Sequence, residues 1–438
     1  MLKPAYFKID LSDVRNRVKQ LARQYGTYAF FESHGSTVPL TGNRYEFIAM
    51  LGVGEEIKCV SNALEQIRPF INQHRSQNNW VFCALSYELK NEIEQLSSRS
   101  EEPVPFPLAH CFVPEVVVTI DETGLLCIHS NLQEPKDIFH KIMNGEKCTT
   151  YKDPKFHVKK KISRSAYRLA FEKTMSHIKR GDTYELTLCQ QAELGFDDCD
   201  PISLHEKFSS ISPNPFSVIY KSEGKAVVCT SPERFLQCDH ERLLSQPMKG
   251  TAKRSSNEEE DLKLKNELAN SRKERSENVM IVDLVRNDLS KVAQKNSVKV
   301  EELFGVHTFP KSHQMISTVT CKLKTGMDFT DIIQAAFPMG SMTGAPKVSS
   351  MKIIDQVEDF RRGMFSGSIG FMAPGCYFDM NVVIRTILLD LENKRAALTA
   401  GGAITFGSAV ESEWEECLTK LRPQLEAVGL KTEDIIER

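Results

Sequence analysis

Acids, a lysine and glycine-rich turns recur in five short segments of this chain, and each suggests a reaction step. In Ser231-Pro232-Glu233-Arg234-Phe235 a glutamate directly follows proline at the end of an expected strand. Proline stiffens the local backbone, and a carboxyl held there can act as a general acid if burial raises its pKa. In Gln246-Pro247-Met248-Lys249-Gly250-Thr251 the reactive candidate is Lys249. An amine is a nucleophile only when neutral, so Lys249 needs burial or a nearby cation to lower its pKa. Gly250 would let the backbone approach a ligand closely, and Thr251 would offer a hydroxyl. The ordinary readings of the two segments are a solvated turn carboxylate and a surface lysine.

The third segment runs from Glu277 to Leu289 and sets Glu277, Asp283 and Asp288 among apolar residues at helical spacing. Carboxylates are the hard oxygen ligands that Mg2+ takes, although any amphipathic helix carries charges on its solvent side. The fourth, Phe337 to Lys347, superficially looks like a phosphate loop. It lacks the Gly-Lys-Ser/Thr ending, and Pro346 removes a backbone donor, so a nucleoside triphosphate site is rejected. Its backbone amides could still bind an anion. The fifth starts at Gly401-Gly402 and leads to Glu413, Glu416 and Lys420, which share one helix face at i, i+3 and i+7. That face could hold a metal ion beside a carboxylate-binding lysine, or be a salt-bridged surface helix. No segment decides a function alone.

The elements that must position these residues follow from periodicity. Val116 to Ile120 and Leu125 to Ile128 read as a hairpin across Asp121-Glu122-Thr123-Gly124. A helix is expected from Ser163 or Ser165, with Tyr167, Phe171, Met175 and Ile178 on one face and an end at Gly181. Short strands follow near Phe216–Tyr220, Ala226–Thr230 and Arg242–Ser245. Glu258 to Arg275 reads as one charged helix with Leu262 and Leu268 inward, and Glu277 to Val292 as another. The last quarter offers strands at Ser366–Met372, Val382–Leu389 and Arg395–Ala400, then a helix from about Glu411 to Leu425. Strands and helices do not alternate strictly, which favours antiparallel α+β over a doubly wound parallel sheet. The polar, lysine-rich stretch 129–162 is the expected linker between regions 1–150 and 160–438.

A chain of 438 residues with 41% hydrophobic and 26% charged residues has an ordinary globular balance and room for more than one core. A net charge of -2 leaves no basic excess for nucleic acid. Twelve cysteines without a Cys-x-x-Cys pair read as reduced thiols of a cytoplasmic protein. No apolar run reaches the length of a bilayer span, so no membrane partner is expected.

Taken together and in this order, the five segments resemble the chorismate-binding enzymes, which include anthranilate, aminodeoxychorismate, isochorismate and salicylate synthases. The Asp283–Leu289 and Thr343–Lys347 blocks carry most of the resemblance, which is strong from about 163 to 421. Glu32-Ser33 and Tyr87-Glu88-Leu89-Lys90-Asn91 extend it weakly toward the N-terminus. The residue before Gly250-Thr251 is alanine in anthranilate synthases and lysine in aminodeoxychorismate synthases. Lys249 thus implies amination of chorismate at C4, with anthranilate and isochorismate or salicylate synthases as the alternatives.

The resemblance also implies roles. Lys249 would attack C2 while Glu233 protonates the departing C4 hydroxyl, and ammonia would then add at C4. Glu277 and Glu416, with Glu413 nearby, would hold Mg2+. Arg385, Gly401 and Gly402 would hold the enolpyruvyl carboxylate, and Lys420 the ring carboxylate or the metal ligands. Gly250, Thr251 and Thr343 would complete the substrate site, and His313 would act positionally or electrostatically. Glu185 stands where isochorismate-forming relatives carry a water-activating lysine, which argues against water addition. No Gly-x-Cys-x-Gly elbow occurs, so a separate glutamine amidotransferase subunit would supply the ammonia. The implied fold is a layered α/β sandwich of two packed, mainly antiparallel sheets with outer helices.

Overall fold

The computed structural model describes residues 3–7, 13–36, 44–145 and 153–437. Its strands are rich in β-branched and aromatic residues, and their side chains alternate between two faces. In Tyr28–Glu32, Ala29 and Phe31 enter one core while Tyr28 and Phe30 enter another. Val117 joins the first core, and Val116, Val118 and Ile120 join the second. Strands apolar on both faces need a layer on each side. Two stacked sheets and outer helices provide those layers.

One sheet has twelve strands and the other ten, and every ladder among the described residues is antiparallel. This is the α+β sandwich expected from the sequence. Both sheets run across the expected regions: Tyr28–Glu32 pairs with Phe216–Ser222, and Val81–Leu85 pairs with Ser368–Ala373. The expected linker is structured where it is described. Its polar residues face outward from the helix Pro135–Asn144, which buries Ile138 and Ile142, and from the strand Phe156–Lys160. Residues 146–152 lie outside the described residues.

The helix Arg164–Arg180 begins at Ser163, whose hydroxyl accepts from the Ala166 N–H, and ends at Gly181 with φ 82°. The break between the two expected helices comes earlier than Arg275, at Ser271. Ser271 takes an extended conformation, ends Glu258–Asn270 and caps Arg272–Val292 by accepting from the Glu274 N–H. Leu268 is buried, but Leu262 points to solvent at 59% exposure. The break matters for function, because it starts a new helix whose first turns carry Lys273, Glu274 and Glu277. The expected strand Val382–Leu389 is also interrupted: Tyr377–Asn381 and Thr386–Asp390 are strands, and Arg385 between them has φ 51°.

A buried ion pair fastens two walls of the site together. Arg362 pairs with Glu358 at 2.6 Å and donates to the carbonyls of Met342 and Thr187. Glu358 in turn accepts from the Cys189 N–H at 2.8 Å. The strand Glu185–Phe196 and the turn Gly340–Met342 are thereby held in register with each other.

Candidate active site

Lys249 lies on the strand Met248–Lys253, which pairs with Ser312–Lys322 through a bulge between Met248 and Thr251. Gly250 in that bulge has φ +89°, and a Cβ there would stand 2.9 Å from the Glu274 carboxylate, so glycine alone fits. Thr251 donates its hydroxyl to Gln314 Oε1 at 2.6 Å. Gly401 is tight for another reason: a Cβ would lie 2.3 Å from the Leu188 carbonyl of the neighbouring strand.

Around one cavity of about 480 Å³ the fold gathers Glu233, Lys249, Gly250, Thr251, Glu277, Arg385, Gly401, Gly402, Glu416 and Lys420. That volume suits a small organic substrate. Ser341, from the fourth segment, and Phe365 also line the site, as does Glu274, which the sequence did not single out. Glu274 precedes Glu277 by three residues, a helical spacing that was legible in principle.

Glu233 is 4% exposed, and its backbone N–H donates to Ser231 Oγ. Burial pushes its carboxyl up to about 7, against hydrogen bonding from Ser341 and the Lys249 charge. This is the environment required of a general acid near neutrality. Burial likewise takes Glu277 up to about 7. Arg385, at its left-handed position, is brought down to about 10 by burial. Lys420 donates to the Gly401 carbonyl and pairs with Glu416, both at 2.8 Å.

The expectation of a neutral Lys249 needs correction for this state of the protein. Lys249 Nζ is 2.7 Å from Glu185 Oε1, with the Glu185 side chain buried and that of Lys249 11% exposed. Burial pulls the lysine pKa down, but Glu185, Glu277 and Glu233 outweigh it and leave it raised. The ammonium is therefore the resting form, and catalysis needs a route for its proton.

Three expected site residues do not line the cavity. His313 bonds through Nε2 to Asp261 and through Nδ1 to Thr308, both at 3.0 Å. Strand parity explains this: Gln314 faces Thr251 and the site, so its neighbour His313 faces the helix Glu258–Asn270. Thr343 turns its hydroxyl back to the carbonyls of Met339 and Gly340, closing the turn rather than facing a ligand. Glu413 sits behind the wall, 1% exposed, with Oε1 3.1 Å from Lys273 Nζ.

Asp283 and Asp288 also leave the acidic cluster. Asp283 is out of phase with Glu277 on the helix and pairs at the surface with Arg286. Asp288 returns to the same face, but eleven residues correspond to roughly 16 Å of helix. There it binds Lys347 at 2.5 Å and anchors the Thr343–Lys347 block.

Residues 28–426 match the family described as chorismate binding enzyme. The chain belongs to the chorismate-binding enzyme family. Among its relatives, aminodeoxychorismate synthase component 1 of Escherichia coli is 33% identical over 360 residues, 81% of this chain and 78% of that protein. A probable chloroplastic aminodeoxychorismate synthase of Oryza sativa is 40% identical over 269 residues, 61% of this chain. The match spans only 30% of the rice protein. The fold agrees with that of anthranilate synthase component I from Streptococcus pneumoniae. The TM-score is 0.75 at 21% identity, over 95% of this chain and 98% of that one. Among the described residues, no helix is long and apolar enough to cross a membrane.

Proposed function

We propose that this protein aminates chorismate at C4 to give 4-amino-4-deoxychorismate. The observation that carries the reading is Lys249 on the wall of the same cavity as Glu233 and Arg385. Lys249 adds to C2, the ring double bonds shift, and Glu233 delivers its proton to the C4 hydroxyl, which leaves as water. Ammonia then adds at C4, the double bonds return and the lysine departs. One difficult displacement becomes two easier ones. Arg385 suits planar, bidentate binding of the enolpyruvyl carboxylate, beside Gly401 and Gly402.

The acidic wall fits Mg2+. Among the described residues no group of three or more His, Cys, Asp or Glu side chains is already gathered as a metal site. Instead, Glu277, Glu413 and Glu416 surround Lys273 Nζ at 3.9, 3.1 and 3.8 Å. Glu277 Oε1 and Glu413 Oε2 are buried without a hydrogen-bond partner. Half-exposed Lys273 can turn to solvent and leave hard oxygen ligands to a divalent ion. Glu277 and Glu416 would hold Mg2+, with Glu413 behind them, and the ion would neutralise the ring carboxylate of chorismate. Glu277→Ala and Glu416→Ala should each weaken Mg2+ binding by about tenfold or more, read by calorimetric titration. Unchanged titration curves in both variants would remove the assignment.

Ammonia comes, on this reading, from a separate glutamine amidotransferase subunit, and the two sequence regions are an N-terminal region like that of anthranilate synthase component I, 1–150, and a chorismate-binding catalytic domain, 160–438. A cytoplasmic location accords with the free thiols of the described cysteines. The deciding experiment is mass analysis of products from chorismate, Mg2+ and ammonium salt. The aminated, still enolpyruvyl-bearing product is expected only with ammonia. Anthranilate would favour the anthranilate synthase reading, and turnover without ammonia the isochorismate or salicylate one.

A further inference from the structure

We infer that Glu185 is the catalytic base that takes the proton from Lys249 before it attacks; this rests on the functional reading above. The site poses the problem itself, since its nucleophile rests as an ammonium in an ion pair. The carboxylates that act on Lys249 are Glu185, Glu277 and Glu233, and also Glu274 and Glu416. Among the described hydrogen bonds Nζ donates to Glu185 alone, and Glu416 is part of the metal-binding wall. Glu233 must keep its own proton for the leaving hydroxyl, and Glu277 belongs to the metal-binding wall. Glu185 has no other task among the described residues.

Its placement suits the role. Glu185 opens the strand Glu185–Phe196 and is pinned from both sides, pairing with Ala345 on one edge and Thr405 on the other. Its carbonyl accepts further bonds from Thr183 and Ser350. The side chain is 1% exposed and is absent from the cavity wall, so it sits behind Lys249 and not against the substrate. Oε1 lies 2.7 Å from Nζ, and Oε2 is buried with no hydrogen-bond partner. A buried carboxylate satisfied by a single ammonium loses little by becoming a neutral acid beside a neutral amine, because no net charge moves. A base so placed acts on lysine and not on water, unlike a water-activating residue facing the cavity.

The protons balance. One N–H bond of Lys249 breaks and an O–H bond forms on Glu185 Oε1. The freed lone pair forms the N–C2 bond as the C4–O bond breaks with the proton of Glu233. When ammonia adds at C4, the C2–N pair returns to lysine and the new C4 ammonium reprotonates Glu233. Glu185 then hands its proton back to Lys249, and the net change is chorismate plus ammonia to aminated product plus water.

The test compares Glu185→Gln and Glu185→Asp with the wild-type protein in the Mg2+ and ammonia assay. Glutamine keeps an oxygen for Nζ but cannot take the proton; aspartate keeps the carboxylate. The expected result is a kcat about 100-fold lower for Glu185→Gln, with KM for chorismate within about twofold and an unchanged melting temperature. Glu185→Asp should recover at least about tenfold of that loss. A Glu185→Gln kcat within about twofold of an active wild type overturns the inference alone. So does a folded Glu185→Asp no faster than the glutamine variant. A folded wild type inert toward chorismate and ammonia overturns the functional reading together with the inference.

Discussion

Lys249→Ala lowers the rate of C4 amination by about 1,000-fold or more, roughly 4 kcal/mol of transition-state stabilisation, while chorismate affinity stays within a few-fold. The reason is positional. The carboxylates of chorismate are held elsewhere in the cavity, by Arg385, the Gly401-Gly402 strand and the Mg2+ wall on the reading above. Removing the amine therefore takes away the reacting atom and leaves the grip. The variant has one structural consequence, because Lys249 is the partner of buried Glu185. Stranding a buried charge costs about 3–5 kcal/mol unless the acid protonates. A thermal melt must accompany the kinetics, and Lys249→Arg serves as the companion variant. Arginine keeps a cation against Glu185 but is no nucleophile near neutral pH, so it should fold normally and fail equally. Wild-type rates in either folded variant would remove the covalent step.

Glu233→Gln is the second large effect, a loss of about 10²–10⁴-fold in kcat. The amide fills the same space but cannot protonate the hydroxyl, and hydroxide is a poor leaving group without that proton. The pH profile separates this role from a structural one. Burial raises the Glu233 carboxyl to about 7, so it is the neutral acid below that pH and the anion above it. The wild-type kcat should therefore fall as pH rises through about 7. In Glu233→Gln the residual rate should lose that alkaline fall, since the group that titrates is gone. A variant that keeps the wild-type profile at reduced amplitude would assign the titration to another residue.

Much of the fold was legible because local signals and long-range packing agree there. The hairpin across Asp121–Gly124 and the helix Arg164–Arg180 carry their own turn and cap residues. Ser271 carried a cap signal too, but the charged run on either side masked it. Leu262 was assigned to the wrong side for a separate reason, because it stands six residues, about one and two-thirds turns, from buried Leu268 and so on a different face. Among site residues, Glu233, Lys249, Glu277, Arg385 and Glu416 were readable from motif order and do meet in one cavity. What escaped depends on contacts distant in sequence. Glu185 and Lys249 are 64 residues apart, and nothing local tells that one sits behind the other. His313 was misplaced by a single step of strand parity, which only the register with Ala252 reveals. Lys273 and Glu277 stand at i and i+4, yet the lysine becomes informative only once Glu413 and Glu416 arrive from a distant helix.

The most direct measurement is peptide mass analysis of protein quenched during incubation with chorismate and Mg2+ in the absence of ammonia. The nucleophilic role of Lys249 predicts a fraction of the Lys249 peptide heavier by chorismate less one water, lost on adding ammonium salt and never present in Glu233→Gln at short times. An unmodified Lys249 peptide throughout, in protein that still forms aminated product once ammonia is supplied, would contradict it.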